Sequence, residues 1–510
     1  MTEASDSQSH ELGSGSLVGL AMRGSFWNSL QWFVNKIAAA VAIWVIAREL
    51  SPGEYGIAVL VLATYGFVVV FPPLTLGDVL IAHPRRFELL APTVHRLAMV
   101  IGGVSGLLVL ASIPVVLFIY STYPPLWLGC LLAVIAVRPI LEAACVIHLS
   151  KMRLALEYRR IAVIDGCTQF VSSALSILMA VVGGRAASLI APAVVNVAAR
   201  AVWYRRAVTA EFKYRFSKRS ANFILRSFGF AAGAQYFHNV NVMLEIIVLG
   251  YVSGKTQTGI FGFAYLLAAQ TNHIIAYQLG IVLQPIFGRL QDDPVRQVLG
   301  FIKAQRLLAT VFVPIALLQA ILAEPLFRLL FPPDWDAAIP VFQVLSLMQA
   351  SFFSVGPTMS CLKAQRRFRL LMVWQGSQFV VSLVLFGWAS AKGGALGIAI
   401  ASAAIWTISA PFAACLCLSP AGRGRVTQML LAFVRPWLTA IPLLTGGYFL
   451  VRWMGSLGPL GDLGAVLVLG PVLLLLTIVI ARLTDSEFRP YFDRAFAKLV
   501  LVLRRKRLTS

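Results

Sequence analysis

The chain has 510 residues, of which 59% are hydrophobic and only 13% charged, about half the charged share of a soluble domain. Together with a mean hydropathy of +0.81, this excludes a water-soluble globule. A bilayer-spanning helix needs about 20 mostly apolar residues, so the apolar positions supply about fourteen spans and leave little for a soluble catalytic domain. In such a chain the formal net charge of +22 is first a question of which side of the bilayer the Lys and Arg occupy, not a sign of nucleic-acid binding.

In chain order, residues 1–22 form a Ser/Gly-rich cytoplasmic tail with no cationic, apolar and small-residue sequence of a cleaved signal peptide. Apolar runs then predict spans near 26–48, 56–80, 97–120, 126–149, 161–182 and 186–204. After a basic stretch, spans follow near 226–251, 260–288, 306–331, 339–361, 370–390, 395–417, 437–455 and 463–481. The expected fold is therefore an all-α polytopic membrane protein with about fourteen transmembrane helices. Tight Gly/Pro joints (Ser51-Pro52-Gly53-Glu54, Tyr123-Pro124-Pro125, Gly183-Gly184, Lys392-Gly393-Gly394) alternate with longer basic loops. Thirty-four of the 43 Lys and Arg fall in the basic set and six in the opposite set, which puts both termini in the cytoplasm.

The longest basic loop lies between the sixth and seventh spans, where a two-lobed protein would carry its linker. Short self-similarities agree: Tyr55-Gly56-Ile57 resembles Thr258-Gly259-Ile260, and Gln169-Phe170-Val171 recurs 209 residues on as Gln378-Phe379-Val380. A six-span repeat enters the membrane from the same side twice, so the two lobes would be parallel. The predicted organisation is a tail (1–22), an N-lobe (23–204), a basic cytoplasmic linker (205–225), a C-lobe (226–417), two further spans (418–482) and a cytoplasmic amphipathic tail (483–510) rich in Arg, Lys and aromatic residues.

Polar side chains inside spans are expensive and therefore informative. Asn28, Gln31 and Asn35 fall on one helical stripe, with Lys36 at its flank. Gln235, His238, Asn241 and Glu245 make a second stripe, and Gln270 and His273 add polar groups in the next span. Such groups serve either as interhelical hydrogen-bond glue or as the lining of a hydrated cavity, and three or four in register favour the cavity. Arg138 and Glu142, four residues apart, either neutralise one another along the helix or leave Arg138 as a fork for phosphate oxygens. Lys36 and Arg200 either add weaker cations to that cavity or snorkel to an interface, and Asp165 is placed to pair with Arg159-Arg160. Pro72-Pro73 interrupts the second span.

The six cysteines all lie in apolar runs without metal-ligand or disulfide spacing. No nucleophile elbow or Walker glycine loop occurs. The sequence thus predicts no enzyme, no cofactor and no metal.

Several joints carry a resemblance. The segments from Ala47-Arg48-Glu49-Leu50-Ser51-Pro52-Gly53-Glu54-Tyr55-Gly56 to Leu76-Gly77-Asp78-Val79-Leu80-Ile81, and Lys151-Met152-Arg153 to Arg159-Arg160, open the series. Gln284-Pro285 to Arg289-Leu290-Gln291-Asp292-Asp293-Pro294, Ala323-Glu324-Pro325-Leu326 and Trp335-Asp336-Ala337-Ala338-Ile339-Pro340 continue it. In order and spacing this resembles the polysaccharide-unit (Wzx-like) flippases of the multidrug/oligosaccharidyl-lipid/polysaccharide exporter superfamily. The resemblance implies two six-helix lobes plus two helices, moving by alternating access. It implies a polyprenyl-diphosphate-linked oligosaccharide as substrate, carried to the periplasmic leaflet of the bacterial inner membrane for exopolysaccharide or O-antigen assembly. Membrane lipids, a polymerase and export machinery are the implied partners, and no nucleic acid. A multidrug or small-cation antiporter, which would want cavity carboxylates such as Glu245, and a membrane enzyme acting on lipid-linked sugars are the other readings.

Overall fold

The computed structural model describes residues 35–70, 73–83, 86–155, 157–208, 216–290, 292–418 and 423–484. Among these there is no strand, and each of the predicted apolar windows holds helix. Among the described residues, eight helices are long and apolar enough to cross a membrane, and a ninth if the bent pair Val426–Pro442 and Thr445–Gly455 forms one span. Large apolar side chains face outward, Phe118 at 85% and Leu460 at 83% exposure. That pattern suits lipid and not water, so the chain is a multi-pass membrane protein. Its internal contacts divide it into two units, Met1–Thr256 and Gln257–Ser510.

Unit 1 begins with α1 (residues 35–49) and α2 (Pro52–Val68). The Ser51-Pro52-Gly53-Glu54 joint is a complete capping box: Ser51 Oγ accepts from the Glu54 amide, the Glu54 carboxylate accepts from the Ser51 amide, and Pro52 opens the helix where its missing N–H costs nothing. α2 ends at Val68, and after the break the described chain resumes as a short 3₁₀ turn, Pro73–Leu76, and α3 (Gly77–Ala82). α4 (Phe87–Ile119) is followed by α5 (Pro125–Ile135), α6 (Arg138–Leu154), α7 (Tyr158–Val181) and α8 (Ala187–Ala207).

The fourth predicted span, 126–149, falls in one apolar helical stretch, Pro125–Leu154, whose hydrogen-bond ladder is interrupted at Ala136 and Val137 between α5 and α6. Pro139 is the cause. It has no N–H for the carbonyl of Ile135, and its ring crowds that carbonyl. The break lies against α4, where Gly102 and Gly106 allow close approach: a Cβ on Gly106 would sit 2.6 Å from the Ala136 carbonyl oxygen and one on Gly102 2.7 Å from that of Pro139.

α9 (Lys218–Arg289) is 72 residues long and would reach about 108 Å if straight. Instead it is two helices joined at Gly254, whose φ of 79° is readily adopted only by glycine. Its first half packs in unit 1 through three tyrosine hydroxyls that donate to backbone carbonyls. These bonds run from Tyr120 to Ile247 (2.9 Å), from Tyr123 to Gly250 (3.3 Å) and from Tyr236 to Phe67 (3.0 Å).

Unit 2 takes the second half of α9, then α10 (Pro294–Ile321), α11 (Ala323–Leu330), α12 (Ala338–Phe352), α13 (Val355–Ala364), α14 (Phe368–Leu416), α15 (Val426–Gly455), α16 (Pro459–Gly464) and α17 (Gly470–Thr484), with a π turn at Ala465–Leu469. α14 is likewise two helices, joined at Gly394 (φ 54°) within the predicted Lys392-Gly393-Gly394 turn. The break between α12 and α13 resembles that between α5 and α6: Phe353 and Ser354 interrupt the ladder and Pro357 follows three residues after Ser354, as Pro139 follows two after Val137. Here the buried Gln305 of α10 donates to the Ser354 carbonyl (3.3 Å) and to Thr358 Oγ1 (3.1 Å). Trp335, fully buried, packs against Phe263 with the rings tilted and their centroids 4.1 Å apart, and Phe327 and Phe331 lie edge-on to Phe263.

Candidate functional site: a charged cavity in unit 1

In unit 1, α6, α7 and α8 enclose a cavity of about 470 Å³, within the size range of small-molecule sites. Its lining is ionic to a degree rare in a membrane interior. Arg138, Arg153, Arg200, Glu142 and Asp165 all line it, together with Gln169, Asn196 and Tyr204. The three guanidinium groups exceed the two carboxylates by one charge.

Arg138 opens α6 just after the interrupted ladder, near the middle of the Pro125–Leu154 stretch. Its Nε meets Glu142 Oε1 at 2.8 Å, the i,i+4 geometry that α6 imposes. Its guanidinium also lies 5.2 Å from the centre of the Tyr65 ring. Glu142 is buried while the Arg138 side chain keeps 30% of its surface. Pairing and access to the cavity, which the sequence leaves as alternatives, thus coexist.

Arg200 on α8 does not snorkel outward. Its Nε meets Asp165 Oδ1 at 3.1 Å and Thr168 Oγ1 at 3.5 Å on α7, and Tyr204 donates its hydroxyl to the same Asp165 oxygen at 2.7 Å. Asp165 therefore pairs across the cavity wall and not with Arg160, which turns to Glu157 at 2.9 Å. One turn further, Asn196 Nδ2 donates to Gln169 Oε1 at 3.3 Å.

The other predicted residues are distributed differently. Asn28 and Gln31 lie outside the described residues. Asn35 and Lys36 are half-buried on α1. On α9, Gln235 and His238 are half-buried, and Gln235 donates to Asn239 Oδ1 at 3.2 Å. Asn241 and Glu245 are packed inside the protein at 2% and 1% exposure. Gln270 donates to the Leu266 carbonyl of its own helix at 3.2 Å. His273 is helical, and its side chain lies outside the described residues. Among the described residues of the predicted set, only Arg138 lines the charged cavity. Arg153, Asp165, Gln169, Asn196 and Tyr204 are additions of the structure, joined by the weaker candidate Arg200. A signal existed for two of them: Asn196 and Arg200 are four apart on one face of the sixth span.

Among the described residues no group of His, Cys, Asp and Glu has the arrangement of a metal site.

Comparison with known proteins gives a consistent picture. Residues 45–340 match the family model described as polysaccharide biosynthesis protein. The succinoglycan biosynthesis transport protein ExoT of Rhizobium meliloti (strain 1021) is 23% identical over 371 residues, 72% of this chain and 70% of that protein. The lipopolysaccharide biosynthesis protein WzxC of Escherichia coli (strain K12) is 24% identical over 215 residues, 41% of this chain and 43% of that one. Among solved structures, the inward closed conformation of the lipid II flippase MurJ superposes with a TM-score of 0.66 at 13% identity, covering 89% of this chain and 98% of MurJ. An inward-facing multidrug resistance MATE transporter of the MOP superfamily gives 0.59 at 11% identity, over 78% of this chain and 94% of that one. These two likenesses concern the fold. The match over residues 45–340 carries more: the chain belongs to the polysaccharide biosynthesis protein family.

Proposed function

We propose that this protein turns polyprenyl-diphosphate-linked oligosaccharide units from the cytoplasmic to the periplasmic leaflet of a bacterial inner membrane, supplying exopolysaccharide or O-antigen assembly. The observation that carries this reading is the cavity of Arg138, Arg200, Glu142 and Asp165 inside an otherwise apolar chain of this family. A sugar diphosphate cannot cross hydrocarbon unaided. It needs a hydrated path with cations, while its polyprenyl tail stays in lipid. Arginine suits phosphate because its planar fork offers paired donors at fixed geometry.

The proposed machine consists of the lobes 23–204 and 226–417, joined by the basic segment 205–225 and followed by two further helices. It works by alternating access, with both termini in the cytoplasm. The polar groups Asn28, Gln31, Asn35, Lys36, Gln235, His238, Gln270 and His273 would give the sugar its hydrated path, and a polymerase and export machinery would take the product. A small-cation antiporter is disfavoured, because Glu142 and Asp165 each already hold an arginine and Glu245 is closed off from solvent at 1% exposure.

The test is the lipid fraction of cells lacking the protein. Lipid-linked oligosaccharide should accumulate with its sugar facing the cytoplasm, and polymer should disappear. Normal polymer with no accumulated intermediate, or altered drug sensitivity alone, would contradict the proposal.

A further inference from the structure

Cations and carboxylates are unevenly shared among the basic joints. The segments 83–96, 151–160 and 289–306 each hold Asp or Glu among their Lys and Arg. Arg160 pairs with Glu157 at 2.9 Å, and Asp293 caps α10 by accepting from the Arg296 amide at 3.0 Å. Further along unit 2 this pattern stops. From residue 337 to residue 461 the chain has no Asp or Glu, yet 363–369 carries four Lys and Arg and 423–435 three. The fold brings these two segments to one end of unit 2. From the α13–α14 joint, Gln365 Nε2 donates to the Cys417 carbonyl at 3.0 Å and Arg367 Nη1 to that of Leu416 at 2.7 Å. The joint is thus bound to the end of α14, and α15 starts nine residues after Cys417.

Arg367 is engaged in closing a helix end, where a cation also suits the dipole. The neighbouring arginines differ. Arg366 stands at φ 57°, at the position after a helix where glycine is usual, and is exposed, as is Arg369. Arg425, half-buried just before α15, holds its Nη1 out of solvent with no hydrogen-bond partner among the described residues. A guanidinium donor shielded from water and unsatisfied is costly, and no carboxylate of the surrounding sequence answers it. The adjoining wall is apolar: Phe412 on α14 and Leu430 on α15, each about one turn inside its helix end, are 61% and 43% exposed.

We propose that this end of unit 2 is a docking surface for anionic phospholipid headgroups of the cytoplasmic leaflet, anchored on Arg425, with Arg366 and Arg369 adding charge from the adjoining joint. The choice of leaflet follows from the division of Lys and Arg over the whole chain, and the binding is independent of what the protein transports. The lipid phosphate gives the unsatisfied guanidinium an acceptor oxygen, while the acyl chains lie along Phe412 and Leu430. A negatively charged leaflet attracts each Lys or Arg held near its surface, and here no neighbouring carboxylate offsets that attraction.

A soluble phosphate ester offers the same oxygens, so the experiment separates the two sources. Full-length protein purified in a neutral detergent is titrated with phosphatidylglycerol, phosphatidylcholine and glycerol 3-phosphate, with binding read by native mass spectrometry and by thermal unfolding. Phosphatidylglycerol should bind and raise the unfolding temperature, and phosphatidylcholine should do neither. Arg425→Gln and Arg366→Asn, the latter tolerant of positive φ, should each weaken phosphatidylglycerol binding about fivefold. Arg160→Gln, at a joint with its own carboxylate, should leave it unchanged. Unfolding without lipid identifies variants that fail to fold, and if Arg425→Gln is one, Arg366→Asn and Arg369→Gln carry the measurement. Equal binding of the two phospholipids, unchanged affinity in the folded variants, or an equal loss in Arg160→Gln would overturn the proposal. Glycerol 3-phosphate binding as tightly as the lipid would overturn the lipid as the source of the phosphate. Binding of phosphatidylglycerol only after Asp485→Asn and Glu487→Gln would assign the surface to the chain's own C-terminal segment and overturn the lipid as its occupant.

Discussion

At the scale of single residues, Arg138 and Glu142 decide how much of the cavity is structure and how much is function. Removing Arg138 alone leaves the buried Glu142 without its 2.8 Å partner, and an orphaned buried charge costs about 3–5 kcal/mol. Arg138→Ala should therefore lower both thermal stability and transport. Replacing both residues with apolar ones should restore stability, because the unpaired charge is gone, yet leave transport lost. Arg138→Lys should keep part of the activity, since an ammonium lacks the bidentate fork. Polymer export in a complemented deletion strain, normalised to protein in the membrane, and unfolding of the purified variants separate the two effects. Recovery of wild-type export by the doubly apolar variant would reduce the pair to a structural tie.

The same two residues show what a linear reading reaches. The i,i+4 pair of Arg138 and Glu142 was legible, because helix periodicity places those side chains together. The pair of Arg200 and Asp165 was not. It joins two helices and depends on how α7 and α8 lie against one another, which no local period records. Asn241 and Glu245 show the converse: helix periodicity puts them on one stripe with Gln235 and His238, but their burial is set by tertiary packing that no local period records.

At the scale of elements, the proline breaks organise the packing. The carbonyls of Ala136 and Pro139, at the break, lie against Gly106 and Gly102, where a Cβ would stand within 2.7 Å of a backbone oxygen. Gly106→Ala should cost about 1–3 kcal/mol, because the neighbour is backbone and not a movable side chain. Unfolding in detergent measures it, and an unchanged midpoint would mean α4 and α6 separate freely. The Trp335-Asp336 motif has a similar physical basis. Trp335 is fully buried in a cluster of phenylalanines, so Trp335→Ala should cost about 3–5 kcal/mol and deplete the protein from the membrane without altering the cavity of unit 1. The apolar windows were legible because a bilayer demands long uninterrupted runs. The joint at Gly254 falls in the gap between the apolar windows 226–251 and 260–288, although a single glycine between Ser253 and Lys255 carries no accompanying Pro or Gly to mark its exact position. The break at Ala136 had its mark in Pro139, but average hydropathy over a window does not register it.

At the scale of the whole molecule, the 34-to-6 division of Lys and Arg between alternating loops fixes an expected topology. Reporter fusions at Lys255, Lys392 and Gly461 should read as periplasmic, and fusions at Arg215, Arg366 and Ser510 as cytoplasmic. A periplasmic signal at Ser510 would mean an odd number of crossings and would undo the assignment of the basic loops. The central claim is transport of a lipid-linked sugar, and the most direct measurement is made on purified protein in proteoliposomes loaded with a polyprenyl-diphosphate oligosaccharide. Accessibility of the sugar to an added membrane-impermeant glycosidase reports its leaflet. The account predicts that wild-type protein exposes the inner-leaflet pool to the enzyme, and that folded Arg138→Gln and Arg200→Gln variants do so far more slowly. An inner-leaflet pool as protected with the wild-type protein as in protein-free vesicles would contradict it.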